Sequence, residues 1–286
     1  MFMHLLNDEF DNQLSLAIQI FEGTYPRRFL NQLVSGQLDM DRLDYLKRDS
    51  FFTGVAEGVI GHDRIIAMLN VVDDEIVVEE KGLFSIEKFL VARRIMYLQV
   101  YLHKAVISAE QMIRKVMTTL REELAKADSA VLSASVLALL SHDAPGSWES
   151  KSVMLDTFAS IDDVEIDYVL KSLMSSQHKV LNLLANGLIN RRLFRTVFSN
   201  HRYQEEQISD VIKQVISTAG LSRESAEQLV LTGTESVPTY DPAQGDIRLL
   251  RKDGSVVNLP TLLEEHFQPH VYNRYFICYP AKPITS

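Results

Sequence analysis

Along most of the chain apolar positions recur at the three-and-four spacing of helices and switch to alternation only in short runs, so the pattern predicts a mainly α protein with small β elements. Residues 1 to 34 enter a helical pattern at once, with no capping residue ahead of it, and break at Gly23 to Pro26. Ser35 and Gly36 precede a helix over 38–49, anchored by Leu38, Leu43 and Leu46. Phe51, Phe52 and the glycines at 54, 58 and 61 suggest a bent, closely packed connection. Strand chemistry over 71–85 reads as a small hairpin around Glu80-Lys81-Gly82, placed near 74–85. From Ile86 to about Ala127 there is neither Gly nor Pro, which predicts one long helix or two nearly continuous ones. Further helices fill 128–190, separated by loops near 141–148 and 161–165.

From Arg192 the pattern changes. Leu193 to Phe198 alternates, 203–218 is helical, and 228–232 reads as a short strand. The runs 247–251 and 255–259 flank Lys252-Asp253-Gly254 as a hairpin, and 275–279 closes as an apolar strand. The expected organisation is a helical domain over 1–190 followed by a small α+β domain over 191–286, without internal repeats.

Composition narrows the class. The 286 residues are 46% apolar and 23% charged, enough to bury a substantial core. A net charge of -9 argues against extended nucleic-acid binding, which needs a basic surface. Cys278 is the single cysteine, so no internal disulfide forms; a reducing, cytoplasmic setting follows, and its apolar alternating run marks it as core. The longest apolar stretch, residues 130 to 140, falls short of the roughly 20 residues that a membrane-spanning helix needs. The N-terminus lacks a basic region and a small-residue cleavage site, so no export signal is expected.

Candidate chemistry concentrates in the 38–49 helix. Asp41, Asp44, Tyr45 and Arg48 share one face, with Arg42 and Asp49 on the neighbouring one. Two readings stand. One is a solvated helix laced with ion pairs, the Asp44 and Arg48 pair stabilising it by roughly 0.2 to 0.5 kcal/mol. The other is a carboxylate that holds a metal beside an Arg and a Tyr for a phosphorylated ligand. Arg93, Tyr97, Tyr101 and Lys104 form a comparable face, either half-buried packing or a phosphate clamp with an aromatic ring. His142-Asp143 and His62-Asp63 are bare dipeptides, and Pro145-Gly146 more simply marks a helix end. The serine-elbow, phosphate-loop, Cys-x-x-Cys and His-Glu-x-x-His motifs are all absent.

The run Ser35 to Ser50, with Asp-Met-Asp-Arg-Leu-Asp-Tyr at its centre, and the run Val77 to Lys104 resemble bacterial HD-superfamily metal-dependent phosphohydrolases, relatives of deoxynucleoside triphosphate triphosphohydrolases. The resemblance is specific over 28–110 and implies a helical HD-type domain, in its C-terminal portion, before the α+β part. It implies a divalent metal held by a His, a His-Asp pair and a later Asp, which here is Asp41. It further implies phosphate contacts from Arg42 and Arg93, sugar contacts from Tyr45 and Asp49, and a nucleotide-lining ring from Tyr101. Asp41 and Arg42 would carry the catalysis. Leu102 stands where some nucleotide-hydrolysing relatives have Gln.

The family's His and His-Asp lie upstream of the Asp-x-Asp run, where this chain has only His4. The expectations are therefore a chain lacking the family's N-terminal segment and inactive alone, a nucleotide or phosphate-ester substrate, and homo-oligomerisation. The alternative is a non-catalytic nucleotide-binding or scaffold subunit. A rearranged metal site built from His142-Asp143 and Asp41 is a third possibility.

Overall fold

Helices dominate the computed structural model, and two small sheets accompany them. It describes residues 7, 9–123, 132–141, 151–237, 246–259 and 272–281. The chain divides into two compact units that interleave in sequence: Met1–His103 with Ser236–Asn273, and Lys104–Glu235 with Arg274–Ser286. The 190/191 boundary follows a change in sequence pattern, whereas these units follow packing.

The first unit contains α1 (Ser15–Phe21), α2 (Arg28–Ser35), α3 (Met40–Thr53), α4 (His62–Ala67) and α5 (Leu83–Met96). Asp39 caps α3 through its side chain, and Gly54, at φ +71°, ends it in the left-handed conformation that glycine accepts without penalty. Leu38, Leu43 and Leu46 are buried as expected, in a core shared with Phe89, Leu90 and Met96 of α5. One π-helical turn, Tyr97–Tyr101, follows α5, so the stretch after Ile86 is two nearly continuous helices.

A hairpin joins β1 (Leu69–Val72) to β2 (Glu75–Glu79). Its turn is Asp73-Asp74, with φ +52° and +57°, the pair of left-handed residues that a tight hairpin with right-twisted strands demands. The turn expected at Glu80-Lys81-Gly82 is instead a 3-10 turn that leads into α5, and Leu83 and Phe84 are helical. Gly82 is needed for close approach, since a Cβ there would stand 2.9 Å from the Val78 side chain.

The second hairpin, β5 (Arg248–Leu250) and β6 (Val256–Asn258), forms as expected but joins the first unit's sheet, in the order β1-β2-β5-β6. β5 runs parallel to β2, pairing Val78 with Leu249 and Glu79 with Leu250. Ile247, Leu249 and Leu259 complete the core beneath α3 and α5.

In the second unit α6 (Lys104–Glu122), α7 (Ala134–Ser141), α8 (Lys151–Ser160), α9 (Asp163–Leu173) and α10 (Lys179–Ile189) precede β3 (Arg195–Ser199). Next come α11 (Glu205–Ala219), α12 (Arg223–Leu229), β4 (Leu231–Val237) and β7 (Tyr272–Tyr279). The sheet order is β3-β7-β4. Ser222 caps α12, which takes up Gln228 and Leu229 and delays the strand expected at 228. Val215, Ala226, Ile277 and Tyr279 form the core against this sheet. Cys278 is buried there, as expected; its sulfur lies 3.6 Å from Thr196 Oγ1, and burial pushes the thiol up.

Candidate functional site

The site begins at the entry to α3, where residues 36–39 are all buried. Asp39 adopts an extended backbone, so its carboxylate can turn back on the first helical turn. Oδ1 accepts from the Arg42 backbone N–H at 2.7 Å and Oδ2 pairs with Arg42 Nη1 at 2.8 Å. The same Nη1 donates to the Gly36 carbonyl. Burial pushes the Asp39 carboxyl above its usual range, although the Arg42 amide and guanidinium pull the other way.

Arg93, from the last turn of α5, is only 3% exposed. Its Nη1 donates to Gln37 Oε1 at 3.4 Å, its guanidinium lies 5.9 Å from the Tyr97 ring centroid, and its buried Nε finds no acceptor among the described residues. Around it Tyr97 and Tyr101 stack edge to face at 5.2 Å, and Tyr45 and Tyr101 at 6.0 Å. Tyr97 and Tyr101 begin and end the π-helical turn, the kind of irregularity that recurs at functional sites. Tyr101 donates its hydroxyl to Asp49 Oδ2 at 2.8 Å. Burial and that bond push the Tyr101 hydroxyl far above the usual tyrosine range. Burial also raises Tyr45, whose hydroxyl feels the opposing charges of Arg93 and Arg42. The charges of both Arg42 and Arg93 also hold the Asp39 carboxyl down against its burial.

Arg42, Tyr45, Asp49, Arg93 and Tyr101 are thus assembled in one unit. Asp41 stands exposed on the first turn of α3. Asp44 and Arg48 form the exposed ion pair anticipated between them, at 2.8 Å. Lys104 lies in the second unit, where its carbonyl accepts from Thr196. His62 Nε2 sits 3.1 Å from Lys47 Nζ and 3.2 Å from Asp63, an ordinary surface arrangement. His4 and the pair His142-Asp143 fall outside the described residues. Among the described residues no group of three His, Cys, Asp or Glu side chains could hold one ion, so by themselves they do not make a metal site.

Sequence reasoning passed over Asp39 and Gln37. Asp39 had a signal, an acid three residues before Arg42 at a helix start; Gln37 had none. A small cleft shares Gly36 and Gln37 with the site and is completed by Gln32, Ile76, Asp246 and Arg248 among others. No helix among the described residues is long and apolar enough to cross a membrane.

Comparison with known proteins identifies the family. Residues 60–142 match the family model described as HD associated region. A solved structure of a phosphohydrolase from Bacteroides thetaiotaomicron superposes with a TM-score of 0.89 at 40% identity, covering 98% of this chain and 70% of that one. The Bacillus subtilis protein YwfO is 27% identical over 247 residues, 84% of this chain and 54% of its own length, so the chain spans about half of that relative. A deoxynucleoside triphosphate triphosphohydrolase SAMHD1 homolog of Dictyostelium discoideum is 30% identical over 118 residues, 39% of this chain and 23% of that protein. The 40% identity to the Bacteroides phosphohydrolase across 98% of this chain, on the same fold, makes this chain a member of the HD-superfamily phosphohydrolases.

Proposed function

We propose that the chain serves an HD-type phosphohydrolase reaction on a nucleotide of the deoxynucleoside triphosphate kind, or on a related phosphate ester. One observation carries the reading: among the described residues the buried Arg93 guanidinium has a neutral amide oxygen and a ring face, an unmet Nε, and no carboxylate in ion-pair contact. Burying a cation without an anionic partner is costly, and a phosphate oxygen would supply that partner. Arg42 would hold a second phosphate oxygen from the start of α3. Tyr45, Asp49 and Tyr101 offer the sugar hydroxyl partners and an aromatic wall. The likeness to a protein named a deoxynucleoside triphosphate triphosphohydrolase supports that substrate class.

Asp41 is proposed as one ligand of the family's divalent ion, and a homo-oligomer as the assembly. In this reading the 286 residues alone bind substrate without releasing phosphate, pyrophosphate or triphosphate. Calorimetry with deoxynucleoside triphosphates tests the site: Arg93→Gln should weaken binding at least about tenfold, as expected for a lost charged hydrogen bond. Unchanged affinity would refute the reading. A second reading is a non-catalytic binding or scaffold subunit, which would use the same buried Arg93 without a metal. The hydrolase reading expects added divalent metal to tighten binding and Asp41→Ala to remove that gain; the scaffold reading expects neither.

A further inference from the structure

The two arginines are held from one place. Gly36, Gln37 and Asp39 follow one another in four consecutive buried residues, and each contributes an oxygen to a guanidinium. The Gly36 carbonyl and the Asp39 carboxylate both receive Arg42 Nη1, and Gln37 Oε1 receives Arg93 Nη1 at 3.4 Å. Leu38, between them, is 5% exposed and packs in the core with Leu43 and Leu46, so the segment is tied to the interior. The close turn at its head needs glycine, because a Cβ on Gly36 would come 2.3 Å from the Gln32 carbonyl oxygen.

From this arrangement we infer that Gly36–Asp39 is a positioning segment, in which Gln37 orients Arg93 and Asp39 orients Arg42 toward a shared polyphosphate. The inference rests on the proposed phosphate role of the two arginines. An arginine has several rotatable bonds, and fixing its planar head before the ligand arrives removes that ordering cost from binding. Gln37 suits Arg93 because a neutral acceptor orients the guanidinium without cancelling its charge. Asp39 suits Arg42 because it is also the N-cap, so the same carboxylate fixes both the helix start and the side chain that leaves it. Neither residue need touch the ligand.

The test measures tripolyphosphate binding to the full chain by calorimetry without metal, for Gln37→Leu, Asp39→Asn, Arg93→Gln, Arg42→Gln and the two doubles Gln37→Leu/Arg93→Gln and Asp39→Asn/Arg42→Gln. Asparagine caps a helix as well as aspartate does, so Asp39→Asn keeps the cap while losing the charged tie to Arg42, and its binding too is compared at a temperature at which it is folded. Where Gln37→Leu lowers the melting temperature, the comparison is made at a temperature at which it is folded. Each single variant should weaken binding about tenfold. Each double should bind no more weakly than its arginine variant alone, a non-additivity that loss of general stability would not produce. Wild-type affinity for Gln37→Leu and Asp39→Asn, with weakened Arg93→Gln and Arg42→Gln, would overturn the positioning role and spare the phosphate reading. Fully additive doubles would overturn it as well. Wild-type affinity for both arginine variants would instead overturn the phosphate reading and this inference with it.

Discussion

Tyr101 links an aromatic cluster to a carboxylate by one hydrogen bond, and its pH behaviour follows from that bond. The hydroxyl is half-buried and donates to Asp49, so ionising it in the folded chain would both desolvate a phenolate and set it against an acid. The folded pKa therefore lies above the unfolded value of about 10. Below that pH both states keep the proton and the stabilisation is fully present. As pH rises past about 10 the unfolded state ionises while the folded state does not, and stability falls. Denaturant unfolding followed across this range should show that decline, with a shallower slope in Tyr101→Phe and some slope remaining from Tyr45 and Tyr203, which are also raised. At neutral pH Tyr101→Phe should cost about 1 kcal/mol, the net worth of a typical hydrogen bond; an unchanged alkaline slope would remove Tyr101 as its source. The sequence made Tyr101 and Arg93 legible by their helical spacing together with the resemblance to HD-type phosphohydrolases. It did not make legible the burial of Arg93 or the tie from Asp49, which depend on how α3 and α5 pack.

Elements were read best where local chemistry decides them. Lys252-Asp253-Gly254 marks a turn by its own backbone preferences, whereas the capping by Asp39 and Ser222 that fixes two helix starts was not read from the sequence. The first hairpin was misplaced because Glu80-Lys81-Gly82 offers a glycine, yet Asp73-Asp74 supplies the two left-handed residues that the strand twist requires. Glycine also has two distinct uses at the edges of α2 and α4. A methyl group at Gly36 meets a backbone oxygen at 2.3 Å, whereas one at Gly61 meets nothing within 4 Å. Neither residue has a positive φ, so space alone separates them. Gly36→Ala should cost about 1 to 3 kcal/mol, as overpacking does, and Gly61→Ala close to nothing. Thermal unfolding of the two variants under one condition checks the contrast, and equal melting temperatures would contradict it.

At the scale of the whole molecule, the least legible feature is that the β5–β6 hairpin belongs with the first unit. Each strand is evident from its own alternation, but pairing Val78 with Leu249 joins segments far apart in the chain, and no local signal names the partner. Hydrophobicity explains the destination: Ile247, Leu249 and Leu259 bury against the same cluster as Leu46 and Phe89. Leu249 is fully buried, so Leu249→Ala should cost about 2 to 5 kcal/mol, the lost transfer energy plus the cavity left behind. Where that cost is felt distinguishes the packing from the order of the sequence. If the hairpin is part of the first unit's core, amide hydrogen exchange in Leu249→Ala should accelerate in Glu75–Glu79 and Leu83–Met96 and leave Glu205–Ala219 near its wild-type rate. Acceleration confined to Glu205–Ala219 and Arg223–Leu229 would assign the hairpin to the second unit's core, and the acceptors at Gly36 and Gln37 would then lose the wall formed by Ile247 and Arg248 in the cleft they share.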